Sequence, residues 1–237
     1  MARAGTERKT SDIQRQMVVP PGNITHMENP MPLPGAEATA SDAELQPCSR
    51  FQISETILKT GRIEEMKAWY ETVLGVPPYF EHSPLPGTAP RDFGGQTRAS
   101  DLHMCFYRLS LNFPYTQTIG IFEEPGTANT AVKGLPGLHH MQLTTSGMED
   151  LCRTFEFLRD KGLHPHRAAD HGPMTSFYYR DPDGNNVELT AQNFASLEEM
   201  VEFMSSAEFR DNPSGRELVP DEFVANWRKA QAAASDT

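Results

Sequence analysis

The run SFYYRDPDGNNVELT at residues 176–190 decides how this chain folds. Two short apolar stretches flank Asp181-Pro182-Asp183-Gly184-Asn185, a cluster of turn-forming residues, so the segment reads as a tight hairpin whose second strand carries Glu188. The cluster begins like a calcium-binding loop, but it lacks the glutamate that closes such a loop, and a hairpin turn explains it better. His140 lies 48 residues upstream in a second strand-like run, LHHMQLTT at 138–145. A neutral imidazole and a carboxylate projecting from strands are side chains that a divalent transition metal accepts. By strand alternation, His139 points to the face opposite His140.

Working outward, the plan occurs twice. After LHHMQLTT, Ser146 and Glu149 have capping-box spacing, followed by Met148, Leu151, Cys152, Phe155 and Leu158 as a buried stripe and Gly162 as the stop. In the earlier copy, FQISETILKT at 51–60 reads as a strand, followed by a helix from about Ile63 with Met66, Tyr70 and Val73 on one face and Gly75 at its end. Fifteen residues before Phe155 stands His140, and 15 before Tyr70 stands Glu55. Alternation places Glu55 on the same face as Ile53 and Ile57, where a charge needs a partner if it is buried. Ile119-Gly120-Ile121 matches Val187-Glu188-Leu189, with the first copy 17 residues longer between the matched points. Ser83–Gly95, rich in Pro and Gly, is the expected insertion, a lid or entrance loop.

Residues 1–49 differ in composition: prolines at 20, 21, 30, 32, 34 and 47 interrupt any period, which reads as a disordered or partner-wrapping arm. Residues 50–195 form the domain, with module one at 50–134 and module two at 135–195, and residues 196–237 are a helical tail. In that tail Ser196 and Glu199 make a second capping box ahead of Leu197, Met200, Val201 and Met204. Beyond Asn212-Pro213-Ser214-Gly215, a helix from about Pro220 carries Phe223, Val224 and Trp227; both stripes read as packing faces.

Composition bounds the partners. With 38% hydrophobic and 22% charged residues the chain reads as globular, and a net charge of −11 without a basic cluster argues against nucleic acid. No apolar run is long enough to span a membrane, and the amino terminus MARAGTERKTSD has no apolar core that would make it a secretory signal. Cys48, Cys105 and Cys152 are scattered and odd in number, which suits a reducing cytoplasm and packing roles rather than a disulfide frame or zinc ribbon. The arm is long enough to embrace a second copy, so a homodimer is the expected partner state.

A tandem βαβββ repeat ending in DPDGNxVEL resembles the vicinal oxygen chelate superfamily of glyoxalase I, fosfomycin-resistance enzymes and extradiol ring-cleaving dioxygenases. It is most similar to the small one-domain biphenyl-2,3-diol 1,2-dioxygenase type. The likeness rests on MKAWYETVLG (66–75), LHHMQL (138–143), HGPMTSFYYRDPDGNNVEL (171–189), QNF (192–194) and FRDNPSGRELVPDEF (209–223). It implies an α+β fold in which tandem βαβββ modules form a cupped sheet, with a metal at the floor chelating two neighbouring substrate oxygens. His140 and Glu188 match the family's second histidine ligand and its glutamate ligand. Tyr178 matches the tyrosine beside the substrate oxygen, and His171 falls near a substrate-contact histidine.

Two positions depart from the pattern: Glu55 stands for the first histidine ligand, and Gln117 for the acid–base histidine. Gly120 stands where glyoxalase I has a carboxylate. A site of two carboxylates and one imidazole is formally neutral with a divalent ion and favours harder ions. The resemblance implies a divalent metal, with Fe(II) or Mn(II) foremost and Mg, Co, Ni and Zn also admissible. Glutamine donates a hydrogen bond but does not carry a proton, which leaves His171 or Tyr178 for proton transfer. The expected function is a metal-dependent enzyme acting on a small oxygenated, catechol-like aromatic compound. Glu55, His140 and Glu188 would be ligands, with Tyr178, His171 and Gln117 addressing the substrate. The alternatives are a non-oxidative isomerase, lyase or cyclase of the same fold, and a metal-free binding or resistance protein.

Overall fold

The computed structural model describes residues 52–87, 89–92, 94–112, 115–124, 126–127 and 137–235. The expected arm at 1–49 and Cys48 lie outside the described residues.

Module one runs β1 (Glu55–Thr60), α1 (Ile63–Leu74), β2 (Phe80–His82), β3 (His103–Asn112) and β4 (Tyr115–Glu123). Its sheet has the order β1-β4-β3-β2, with β1 parallel to β4 and the other pairs antiparallel. Module two repeats this with β5 (Met141–Thr144), α2 (Met148–Asp160), β6 (Arg167–Asp170), β7 (Met174–Arg180) and β8 (Asn186–Gln192). The order there is β5-β8-β7-β6, again with one parallel pair, and the tail strand β9 (Arg216–Glu217) extends it beyond β6. The tail also contains α3 (Leu197–Met204), α4 (Ala207–Asp211) and α5 (Pro220–Ser235), so α4 and β9 are additions to the two helices expected.

The helices form where the stripes placed them. Ile63, Met66, Trp69, Tyr70 and Val73 are the buried face of α1, and Gly75 ends it at φ 69°. In α2 the buried face is Leu151, Cys152, Phe155 and Leu158. Its end is a Schellman turn: Gly162 sits at φ 79°, its N–H bonds the Arg159 carbonyl, and the Leu163 N–H reaches back to Leu158. The capping box expected at Ser146 and Glu149 does not form. Gly147 is the cap residue, the Ser146 hydroxyl donates to the Asp150 carboxylate, and Glu149 turns away to bind Arg228 and the Trp227 indole N–H. Two charge-assisted bonds outweigh one local cap.

One core serves both modules, uniting α1, α2 and the inward faces of both sheets with Val224 and Trp227 of α5. A buried bond crosses between the modules: the Tyr70 hydroxyl donates to Asp181 Oδ2 at 3.1 Å. Asp181 in turn builds the hairpin turn by accepting from the Asp183 and Asn185 backbone N–H groups and the Asn185 amide, while Gly184 takes φ 83°. Burial holds the Asp181 carboxyl above its usual range. The tail departs from expectation at α3, whose Leu197, Val201 and Met204 are 58%, 51% and 41% exposed, so that stripe is not a packing face among the described residues.

Candidate metal and substrate site

Glu188 is the centre of the site. It lies in the middle of β8, with Gln142 of β5 and Tyr178 of β7 as its register partners, and it is 3% exposed. A carboxylate so buried needs donors on its lone pairs. The Tyr178 hydroxyl donates to Oε1 at 2.8 Å, and His140 Nε2 stands 3.1 Å from Oε2. His171 Nε2 is 2.8 Å from the Tyr178 hydroxyl and 4.0 Å from Glu188 Oε1, so the groups form a chain from His171 through Tyr178 and Glu188 to His140. Burial, followed by the bond to Glu188, pushes the Tyr178 phenol up to about 12, so this hydroxyl keeps its proton and acts as a donor.

Local folding places each member. His171 sits in the turn between β6 and β7, where Gly172 takes φ 91° and the His171 N–H bonds the Met174 carbonyl. Asn193 braces this turn: its amide donates to Asp170 and to the Gly172 carbonyl, and its Oδ1 accepts from Thr175. The QNF motif at 192–194 gave Asn193 no task on sequence grounds; an amide just past a strand end, facing a Gly-Pro turn, is the signal that could have found it. His140 precedes β5 rather than lying within it, so strand alternation does not separate it from His139. The two imidazoles meet instead, Nδ1 to Nδ1 at 2.7 Å.

The outer residues behave differently. Glu55 opens β1, at the edge of its sheet, with Thr118 as register partner; it is exposed and, among the described residues, makes no hydrogen bond or ion pair to His140 or Glu188. Gln117 on β4 is exposed and follows the alternation of Ile119 and Ile121, which enter the hydrophobic core, rather than that of Gly120. The insertion at 83–95 is fastened at Arg91, which binds Asp101 through its backbone N–H at 3.1 Å and its guanidinium at 2.6 Å. Cys105 and Cys152 are buried, with thiols pushed up to about 11 and about 12 by burial, as packing residues should be.

Comparing equivalent register positions shows how far the modules have diverged. Across module two the level of Glu188 reads Gln142, Glu188, Tyr178, Arg167; across module one it reads Ile57, Gly120, Phe106, Phe80. A Cβ on Gly120 would lie 2.5 Å from Ile57 Cδ1 and 3.0 Å from Phe106, so apolar atoms fill the place of a carboxylate there. At this level of the two sheets, the polar side chains belong to module two.

Could these residues hold a metal? Two donors bound at 2.0–2.2 Å to one ion, at angles of roughly 90–110°, stand about 2.8–3.6 Å apart. His140 Nε2 and Glu188 Oε2, at 3.1 Å, meet that requirement as neighbouring ligands. A third protein donor is not beside them: among the described residues no group of three or more His, Cys, Asp or Glu side chains is gathered to hold a metal ion.

A duplicated βαβββ fold with a His–Glu pair at its centre defines a class, and the family comparison agrees. Residues 52–189 match the model of the Glyoxalase/Bleomycin resistance protein/Dioxygenase superfamily, and the chain belongs to it. Among characterised relatives it is similar to biphenyl-2,3-diol 1,2-dioxygenase 2 of Rhodococcus globerulus, 30% identical over 169 residues covering 71% of this chain and 77% of the relative. It is also similar to biphenyl-2,3-diol 1,2-dioxygenase 3 of the same organism, 31% identical over 176 residues covering 71% and 78%. Solved structures that resemble it include a glyoxylase/bleomycin resistance protein/dioxygenase domain from Frankia sp. EAN1pec, with TM-score 0.46, 18% identity and coverage of 61% and 99%. Another is the genomically encoded fosfomycin resistance protein of Listeria monocytogenes, complexed with Mn(II) and sulfate, with TM-score 0.42, 14% identity and coverage of 65% and 99%.

Proposed function

We propose that this protein is a metal-dependent enzyme acting on a small, catechol-like aromatic compound with two adjacent oxygens, by extradiol-type ring cleavage. The observation that carries the reading is the chain His171–Tyr178–Glu188–His140, joined at 2.8, 2.8 and 3.1 Å on one face of module two. His140 Nε2 and Glu188 Oε2 would hold a divalent ion, with Fe(II) or Mn(II) favoured by the kinship with dioxygenases; Glu55, the third donor that the sequence repeat suggests, would have to close on them to join it. Such an ion, when bound, polarises the substrate oxygens and orients them.

The chain's own residues supply the rest. Tyr178 keeps its proton and presents its hydroxyl oxygen to His171 Nε2, so His171 is the imidazole placed to exchange a proton with a substrate oxygen held above the pair. Gln117 does not carry protons, which leaves that duty to His171. The β6–β7 turn, braced by Asn193, keeps the imidazole at its post.

Oxygen uptake with catechol and 2,3-dihydroxybiphenyl, after anaerobic loading with Fe(II), tests the reading. Uptake by the wild type that Glu188→Ala abolishes supports it. Turnover without oxygen under several divalent ions would move the protein to the isomerases, lyases or cyclases of the fold. The separation of Glu55 from the other two donors favours a second reading, a metal-free binding protein. Protein purified without chelators that holds no transition metal and gains none on reconstitution would favour that binder.

A further inference from the structure

We propose that His139 is a positioning residue for His140: bonded ring to ring, it fixes which nitrogen of His140 is turned toward Glu188. Residues 138–140 precede the strand because β5 first pairs at Met141 with Val187, and upstream of Asn186 the partner strand has become the hairpin turn. Released from alternation, the two side chains converge, their Nδ1 atoms 2.7 Å apart and the rings edge to face with centroids 5.0 Å apart. Two bare imidazole lone pairs repel at that distance, so one Nδ1 carries hydrogen and the other accepts it. On the far side of His140, Nε2 stands 3.1 Å from a carboxylate oxygen, which calls for an Nε2–H donor. In neutral His140 that leaves Nδ1 as the acceptor and assigns the shared hydrogen to His139.

The pair also works in the opposite sense. If Nε2 is given over to an ion, the hydrogen of neutral His140 belongs on Nδ1, and His139 Nδ1 becomes the acceptor. An imidazole serves either sense because its remaining nitrogen, on an exposed ring, takes up the other hydrogen. A carboxylate or a backbone carbonyl at this position would serve only one. One ring orientation is thereby held through both tautomers of His140 without a buried partner.

The metal half of this inference rests on the function proposed above; the tautomer half does not. The test uses the full chain labelled with 15N, metal-free, at about pH 8.5, above the ordinary imidazole range, with long-range 1H–15N correlations reporting each ring. Wild type is expected to show a single His140 tautomer protonated at Nε2, His139→Ala a mixture, and His139→Asn the wild-type pattern, because its amide occupies the δ position and either donates or accepts. Mn(II) titration is expected to show affinity reduced ~10–100-fold in His139→Ala and close to wild type in His139→Asn. An unchanged His140 pattern in His139→Ala overturns the proposal, as does equal loss of affinity in both variants. If wild type takes up neither Mn(II) nor, anaerobically, Fe(II), the metal-dependent reading fails while the tautomer comparison still decides the role of His139.

Discussion

At the scale of single residues, the site depends on one hydroxyl. Tyr178 donates to Glu188 Oε1 and stands 2.8 Å from His171 Nε2, and both Tyr178 and Glu188 are nearly inaccessible to water. Tyr178→Phe keeps the ring and removes that oxygen, leaving a buried carboxylate short of a donor. The expected loss is about 1–3 kcal/mol of stability, read from urea unfolding at neutral pH. Loss of whatever turnover the oxygen assay detects is expected beside it, because the His171 imidazole loses the hydroxyl oxygen that orients its Nε2. A turn signal and the repeat picked out Glu188 and His140 in the sequence, and the family resemblance picked out Tyr178 and His171, although His140 precedes its strand and His171 sits in a turn. Glu55 and Gln117 were not equally legible. Counting residues gives Glu55 a position in the repeat, but only the course of an edge strand decides what its carboxylate meets. The meeting of His139 with His140 was hidden as well, since alternation assumes a ladder that begins one residue too late to apply.

At the scale of elements, loops and caps show where local signals lose to distant ones. Asp181-Pro182-Asp183-Gly184-Asn185 announces its turn in sequence, and the structure builds it from the Asp181 side chain. Ser146 and Glu149 announce a cap just as clearly, yet Arg228 claims Glu149 from 79 residues away. No local pattern encodes that competition. The 83–95 insertion is tied down in a similar way. The Arg91 guanidinium holds the Asp101 carboxyl well below the usual carboxylate range. A carboxyl whose folded pKa is depressed stabilises the fold at pH above its unfolded value of about 4 and loses that contribution as pH falls below it. Asp101→Asn is therefore expected to be less stable than wild type at neutral pH, with the difference shrinking as pH falls below about 4. Urea unfolding at several pH values checks this; a gap independent of pH would show that the carboxylate charge is not what fastens the loop.

At the scale of the molecule, the tail is part of the core. Val224 and Trp227 are 3% and 6% exposed, packed with α2, while Arg228 bridges Glu149 and Glu156 on the same helix. The two kinds of contact differ in weight. Burying an indole matters more than a half-exposed ion pair, which contributes about 0–1 kcal/mol. Trp227→Ala is expected to cost about 3–5 kcal/mol and Arg228→Ala far less, measured by denaturation of each full-length variant. Equal losses would mean that the guanidinium, not the indole, docks the tail. The stripe of α5 was legible, and so was the duplicated plan. That Leu197, Val201 and Met204 of α3 stay exposed among the described residues was not, because periodicity shows which face is apolar and not whether anything packs on it.

The bond from Tyr70 to Asp181 runs in one direction only. The residue corresponding to Tyr70 in the second half is Phe155, whose ring has no oxygen to give. An ancestor made of two identical halves would have had this contact twice or not at all. What remains is a lock whose key is cut on one side: a hybrid assembled from two second halves would set a phenyl edge against the buried acid of the turn. The halves have thus passed from being copies to being complements, and neither any longer stands in for the other.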